Sequence, residues 1–142
     1  MGVLDFLSIG VSGLSLIVSI CSYRASVKLE RKKATIEAIG KLQNEAIDKL
    51  NLYTKKEIAE IAQNERSAEY KAVSSLLGRV EHFAVGVNNK VYDEDIANKL
   101  AGELLVPLYS KLLPVIQKKR THNKNVYDDF EKLACRLERY RK

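Results

Sequence analysis

The chain has 142 residues and a formal net charge of +6, with only two prolines and seven glycines. This length suits one small domain plus an anchoring segment, and the composition argues against long disordered stretches. The two cysteines, Cys21 and Cys135, lie far apart, and neither has metal-ligand spacing to His82 or His122. We therefore expect no disulfide framework, no metal site and no cofactor.

The N-terminal part of the chain contains an apolar run, residues 6–23, without a charged side chain. At the rise of an α-helix this run is about 27 Å long, close to the thickness of a hydrocarbon core. Positive charge follows the run and does not precede it, which is the reverse of a signal peptide. The pattern predicts a transmembrane anchor, residues 1–24, with the N-terminus outside and the rest in the cytoplasm. A buried helix of a soluble protein remains the alternative.

The basic residues after the run have a predicted role of their own. They are expected to contact anionic lipid headgroups. These residues are Arg24, Lys28, Arg31, Lys32 and Lys33.

Serines recur along one side of the anchor. They are spaced alternately by four and three residues, at Ser8, Ser12, Ser15, Ser19 and Ser22. This spacing places all five on one helical seam. Small residues let membrane helices approach closely, so the seam predicts pairing with a second copy or with another membrane protein. The alternative is that each hydroxyl bonds only the carbonyl one turn earlier in its own helix.

A connector, residues 25–66, is predicted as a helix, either continuous with the anchor or separate from it. Its apolar stripe consists of Ile36, Ile39, Leu42, Ala46, Leu50 and Tyr53. The stripe must be buried, either in a short coiled coil with a second copy or by folding back on the C-terminal helices. Thr54 and Glu57 have the spacing of a capping box, which predicts a helix restart there.

The C-terminal part, residues 67–142, is predicted as a cytoplasmic bundle of three helices, with the connector as a fourth wall. The first helix is expected to end near Gly86. Asp93 is the expected N-cap of the second helix, which Pro107 and Pro114 should kink or split. Asn125 is the expected cap of the last helix. The predicted fold class is thus all-α: a transmembrane helix, a long juxtamembrane helix and a small bundle.

Glu81 interrupts the apolar face of the first of these helices, because it lies one turn from Leu77 and from Ala84. A carboxylate in that position needs a partner or a raised pKa. Arg79, Arg120 and Arg136 are the candidate partners, and we select a Glu81–Arg120 ion pair. Its role is either to fix the helix register or to serve as a functional acid.

Four segments together resemble a known family. They are RKKATIEAI (31–39), LLGRVEHFAVGVNNKVYDEDI (76–96), LLPVIQKKR (112–120) and YDDFEKLACRL (127–137). This arrangement is similar to bacterial and phage membrane-anchored helical proteins classed only as a domain of unknown function. The matching positions are Glu81, Ala84, Gly86, Arg120, Phe130, Glu131 and Leu133, whereas Arg31 is displaced relative to Thr35 and Gly78 replaces an expected Asn. The resemblance implies a fold and a bacterial inner-membrane location, and associates the chain with phage or defence settings.

The sequence does not have the marks of an enzyme, because it contains no glycine-rich phosphate loop and no nucleophile paired with a histidine. We expect a non-enzymatic recruitment or regulatory protein that binds lipid, itself and an unidentified protein partner. The alternative is a nucleic-acid-binding protein tethered to the membrane, using its basic C-terminal helix. Acidic residues interleaved with the basic ones make nucleic acid the weaker choice.

Overall fold

A computed structural model describes residues 2–142, which form helices and their connections without a strand, so the predicted all-α class is confirmed. We number the helices of this region α1 to α5. They are α1 (Val3–Asn51), α2 (Lys55–Ala62), α3 (Ala68–Asn88), α4 (Glu94–Arg120) and α5 (Asp128–Arg139).

Helix α1 joins the predicted anchor and connector without a break. Its apolar part has a mean hydropathy of 2.0 over an 18-residue window, and none of that window is buried inside the protein. α1 is therefore long and apolar enough to span a membrane. Burial begins only at Thr35, where the helix meets the bundle.

The second half of α1 packs into the same hydrophobic core as α2 to α5. Ile39, Leu42, Ala46 and Leu50 are all buried there, whereas Ile36 remains exposed. Two ways of burying the stripe were predicted. For most of its residues the structure shows the second, in which the stripe folds back on the C-terminal helices. The core contains residues from both sides of the predicted division at 66/67, so the connector forms part of the bundle.

A π-helical turn, Gln43–Ile47, lies inside this buried half. The wider turn changes the angular register of the residues that follow it. The neighbours Ala46 and Ile47 within this turn are both buried, and burial continues at Leu50. Ile47 was not part of the predicted stripe, because its position does not fit the spacing of three and four residues.

Two contacts show that α4 runs alongside α1 in the same direction. Near the start of α4, the Asp93 amide donates to the Thr35 hydroxyl. Further along, Lys111 Nζ donates to the carbonyls of Leu50 (2.9 Å) and Tyr53 (3.0 Å), which satisfies acceptors at the end of α1. Burial lowers the pKa of Lys111.

Two predicted caps are confirmed. Thr54 Oγ1 accepts from the Glu57 amide and the Glu57 carboxylate accepts from the Thr54 amide, which starts α2. Asp93 Oδ1 accepts from the Ile96 amide and starts α4.

α3 continues to Asn88, two residues beyond the predicted end near Gly86. Gly86 serves packing instead. A Cβ atom there would lie 2.5 Å from the Tyr92 ring, which also stacks on Phe83 at 5.4 Å. The turn after α3 is made by Lys90 at φ 60°.

Two further predictions concern a break within α4 and the cap of α5. α4 contains Pro107 and Pro114 and is not split. Its neighbouring side chains Leu108, Leu112 and Val115 are buried, and this packing offsets the backbone hydrogen bonds that the prolines remove. Asn125 is not the cap of α5. Tyr127 occupies that position with φ 62°, and its own side chain makes no capping bond.

Candidate functional site

The start of α5 is held by a side chain from another helix. Glu81 of α3 accepts hydrogen bonds from the backbone amides of Phe130 (2.7 Å) and Asp129 (3.2 Å). First-turn amides have no partner within their own helix, and the helix dipole favours a negative charge there. Glu81 therefore supplies the N-terminal cap that Tyr127 does not.

Arg120 lies at the same helix start but has other partners. Its guanidinium bonds Glu131 at 2.7 Å and Asp128 at 3.3 Å, and its Nε donates to the Val126 carbonyl at 3.1 Å. Within residues 2–142 no ion pair joins Glu81 to Arg120, so that pairing was wrong. Backbone amides of α5 donate hydrogen bonds to the Glu81 carboxylate. Acidic side chains in the first turn of α5 accept hydrogen bonds from the Arg120 guanidinium.

Asn88 extends this network at the end of α3. Its Nδ2 donates to the Asp129 carbonyl (3.1 Å) and carboxylate (2.7 Å). Its Oδ1 accepts from Arg136, whose Nε also donates to Glu94 at 3.1 Å. One amide and one guanidinium thus connect α3, α4 and α5. The sequence signal for Asn88 was a polar residue one position after the buried Val87, where α3 ends.

Thr35 connects α1 to the start of α4. It is fully buried, and its hydroxyl donates to the Arg31 carbonyl at 2.7 Å and accepts from the Asp93 amide at 2.8 Å. The hydroxyl therefore satisfies a backbone amide in the turn before α4.

We predict that Thr35→Val destabilises the fold by about 1–3 kcal/mol, because the Asp93 amide loses its partner while shape and burial are kept. Thr35→Ser is the matched control, since it retains the hydroxyl. Thermal unfolding of the full chain in detergent, followed by circular dichroism, measures both. Equal losses in the two variants would show that the methyl group, not the hydrogen bond, matters.

Burial raises the pKa of Glu81; the two amide donors oppose that shift, and the Asp129 and Asp128 carboxylates add to it. A carboxyl group with a raised folded pKa binds its proton more tightly in the folded state than in the unfolded state. Its contribution to stability therefore grows as the pH falls from above the folded pKa toward the ordinary value of 4.5.

We predict that Glu81→Ala lowers the free energy of unfolding by about 1–3 kcal/mol, because two buried amides lose their acceptor. Glu81→Gln keeps one acceptor oxygen and should cost less. The stability of the wild-type chain relative to Glu81→Gln should increase as the pH is lowered from 7.5 toward 4.5. A pH-independent difference, measured by the same unfolding assay, would contradict the raised pKa.

An open groove of about 440 Å³ lies between α1 and α3. Its lining includes Lys41, His82 and Phe83, and an Arg79–Glu45 ion pair lies along it. Within residues 2–142 no three His, Cys, Asp or Glu side chains are grouped as metal ligands. The hydrogen-bonded side chains described above cap and join helices. The groove is an open depression on the surface between α1 and α3.

The serine seam lies on the bare part of α1, and all five residues are exposed. Ser12 and Ser19 donate to the carbonyls of Ser8 and Ser15 at 2.8 Å, and Ser8 donates to Asp5 at 2.9 Å. These bonds satisfy three of the five hydroxyls within the helix and leave the small side chains free to be approached. Pairing along the seam stays a prediction.

The basic segment follows the seam on the same bare helix. Of its members, Arg24, Lys28, Arg31 and Lys33 are exposed and Lys32 is half-buried. None of the five forms an ion pair within the described residues. Their contact with lipid headgroups stays a prediction.

A single family profile covers most of the chain, from the apolar run to α5. The profile of DUF4760, described as a domain of unknown function, matches residues 9–137. The chain belongs to the DUF4760 family. No curated protein and no solved structure is similar enough to count as a match. The matched residues of this DUF4760 protein run from within the apolar run to within α5, so the apolar segment and the bundle belong to the same family unit.

Proposed function

We propose that this DUF4760 protein is a single-pass protein of the bacterial inner membrane that presents a helical bundle to protein partners, including a second copy of itself. One observation carries the proposal. A single 49-residue helix leaves its apolar half entirely bare and buries its other half in the bundle. A bare apolar helix needs a nonaqueous environment, and a bilayer supplies it.

Charge distribution supports an orientation for this helix. Lys and Arg are enriched on the cytoplasmic side of membrane helices, and the basic segment lies between the apolar run and the bundle. The bundle is therefore cytoplasmic in our proposal, and the N-terminus is outside. Tyr23, at the end of the run, suits the interface between hydrocarbon and headgroups.

The two native cysteines provide a test of this topology. Cys135 is exposed on the bundle, whereas Cys21 lies in the apolar run. We predict that a membrane-impermeant maleimide labels the chain only after the inner membrane is opened, and that Cys135→Ser then abolishes labelling. Labelling of Cys135 in intact spheroplasts would reverse the orientation. Release of the chain by alkaline carbonate would refute the anchor itself.

Self-association is supported by the length of the seam on α1. The spacing of the serines continues beyond the apolar run through Ser26, Leu29, Lys33, Ile36 and Gly40, all of them exposed. Leu29 and Ile36 keep 53% and 51% of their surface exposed, on a side of α1 that faces away from the core. A repeat of seven residues suits a left-handed pairing of two parallel helices.

Charges beside the seam favour the same parallel arrangement. Lys32 precedes Lys33 in the seam, and Glu37 follows Ile36. In parallel coiled coils the residues that flank the seam on opposite helices form ion pairs, and Lys32 and Glu37 have the required spacing and signs. Lys33 inside the seam favours a dimer over larger assemblies at some cost in stability.

Cysteine crosslinking tests this pairing. In a background with Cys21→Ser and Cys135→Ser, we predict that Ile36→Cys forms a disulfide-linked dimer in membranes, because facing seam positions lie within disulfide reach. Ala34→Cys is the matched control, since it is exposed on another side of the same turn. Equal crosslinking at both positions would indicate random collision and contradict the seam.

The membrane half of the seam has its own test. Replacing Ser12, Ser15 and Ser19 by Leu should abolish self-association in a membrane two-hybrid assay, because bulky side chains keep the helices apart. An unchanged signal would confine pairing to the cytoplasmic half. Crosslinking of the full chain in native membranes, followed by mass spectrometry, would identify the recruited partner.

A further inference from the structure

The fold brings the two basic ends of the sequence to one end of the bundle. The Thr35–Asp93 contact places the start of α4 beside the point where α1 leaves the bundle toward the anchor. Arg136, in the last turn of α5, reaches Glu94 in the first turn of α4. α5 continues to Arg139, and residues 140–142 follow it in a turn. The C-terminal basic residues therefore lie at the end of the bundle that is nearest the anchor.

This end of the bundle carries a mixture of basic and apolar exposed side chains. Its basic residues are Lys90, Arg139, Arg141 and Lys142, all exposed. Val91, in the turn between α3 and α4, keeps 60% of its surface exposed, and Tyr140 keeps 55%. The acidic residues here are Asp93, which caps α4, Glu94, bonded to Arg136, and the exposed Asp95 and Glu138.

We propose that this membrane-proximal end, residues 90–91 and 139–142, is a second lipid-binding surface that contacts anionic headgroups beside the anchor. The proposal rests on the proposed insertion of α1. Lys and Arg are attracted to anionic leaflets, and tyrosine and exposed aliphatic side chains suit the headgroup layer. The partner is an anionic bilayer because the anchor fixes this end toward the membrane.

The distance along α1 agrees with this contact. Thr35 lies about 18 Å beyond Tyr23 along the helix axis. The headgroup layer occupies roughly 5–7 Å of that length. The remaining gap, about 11–13 Å, exceeds the Debye length of about 8 Å at physiological salt, so the basic groups must themselves extend across it to reach the headgroups. Residues beyond Arg136 and the long basic side chains extend into this gap.

The contact would fix the orientation of the bundle. A bundle held only by α1 is free to tilt with that helix. A second attachment at residues 139–142 sets which side of the bundle faces the cytoplasm. Exposed groups at the far end, such as Leu52 between α1 and α2, are then held away from the bilayer.

Tryptophan fluorescence tests the proposal in the full chain, which contains no tryptophan. Tyr140→Trp places a reporter at the membrane-proximal end, and Leu52→Trp, at a residue 81% exposed, places a control at the far end. Each variant is reconstituted into vesicles of phosphatidylcholine with phosphatidylglycerol, a fraction of the phosphatidylcholine bearing a nitroxide quencher on its headgroup. A second set of vesicles lacks phosphatidylglycerol.

We expect quenching of the Tyr140→Trp chain in the anionic vesicles and loss of that quenching at 1 M salt, where the Debye length is about 3 Å. The Leu52→Trp chain should not be quenched. Replacing Arg139, Arg141 and Lys142 by Gln in the Tyr140→Trp chain should abolish its quenching. Equal quenching of the Tyr140→Trp chain in neutral and anionic vesicles, or none in either, overturns the proposal. Salt-sensitive binding of DNA in place of vesicles would reassign the surface to nucleic acid.

Resistance to alkaline extraction separates this result from the proposed anchoring. A Tyr140→Trp chain that resists extraction without being quenched retains the anchor and loses the second surface. A chain that is extracted but shows salt-sensitive quenching binds lipid through the basic end and lacks the anchor. A chain that is extracted and unquenched refutes both proposals.

Discussion

The burial of one half of α1 in the bundle is the constraint on which the rest of the structure depends. Ile39, Ile47 and Leu50 place α1 at the centre of the hydrophobic core, and each buried side chain of this kind stabilises the fold by about 1.5–3 kcal/mol. The other half of the same helix has no contact with the bundle. Because an α-helix transmits position and rotation along its length, the bundle and the apolar segment cannot be oriented independently. The π-helical turn lies inside the core, where neighbouring helices hold it.

Polar side chains hold the helices in register, because each one hydrogen-bonds backbone groups at the end of another helix. Lys111 of α4 satisfies the end of α1, Thr35 of α1 satisfies the turn before α4, and Glu81 of α3 caps α5. Each contact joins a side chain to backbone groups of a different helix, so sliding one helix along another would leave several buried groups unpaired. α5 depends most on this arrangement. It is a 12-residue helix, short for independent stability, and its own N-cap residue contributes no capping bond.

The sequence predicted the features that depend on local chemistry. The apolar face that Leu77 and Ala84 were predicted to share is buried, together with Tyr70, Val73, Val80 and Val87. The caps Thr54 and Asp93 were also correct, because both act within four residues of themselves. The errors concern partners that are distant in sequence. Gly86 resembled a helix stop, but the Tyr92 ring explains it, and Glu81 appeared to need an arginine when its partners were backbone amides. Prolines that would interrupt an isolated helix are tolerated in α4, because its face is buried.

Continuity between anchor and bundle also limits how the protein can act. The exposed seam of α1, with Leu29 and Ile36, lies about a third of a turn away from the side on which Thr35 enters the core. Two chains paired along that seam would therefore carry their bundles to the outside of the pair, with both membrane-proximal ends facing the bilayer. The groove between α1 and α3 would remain open on each bundle. The family match includes most of the apolar run together with the bundle, so the two parts belong to one family unit. In our proposal, this joined unit places a surface at a fixed height and rotation beside the membrane, and neither half would do so alone.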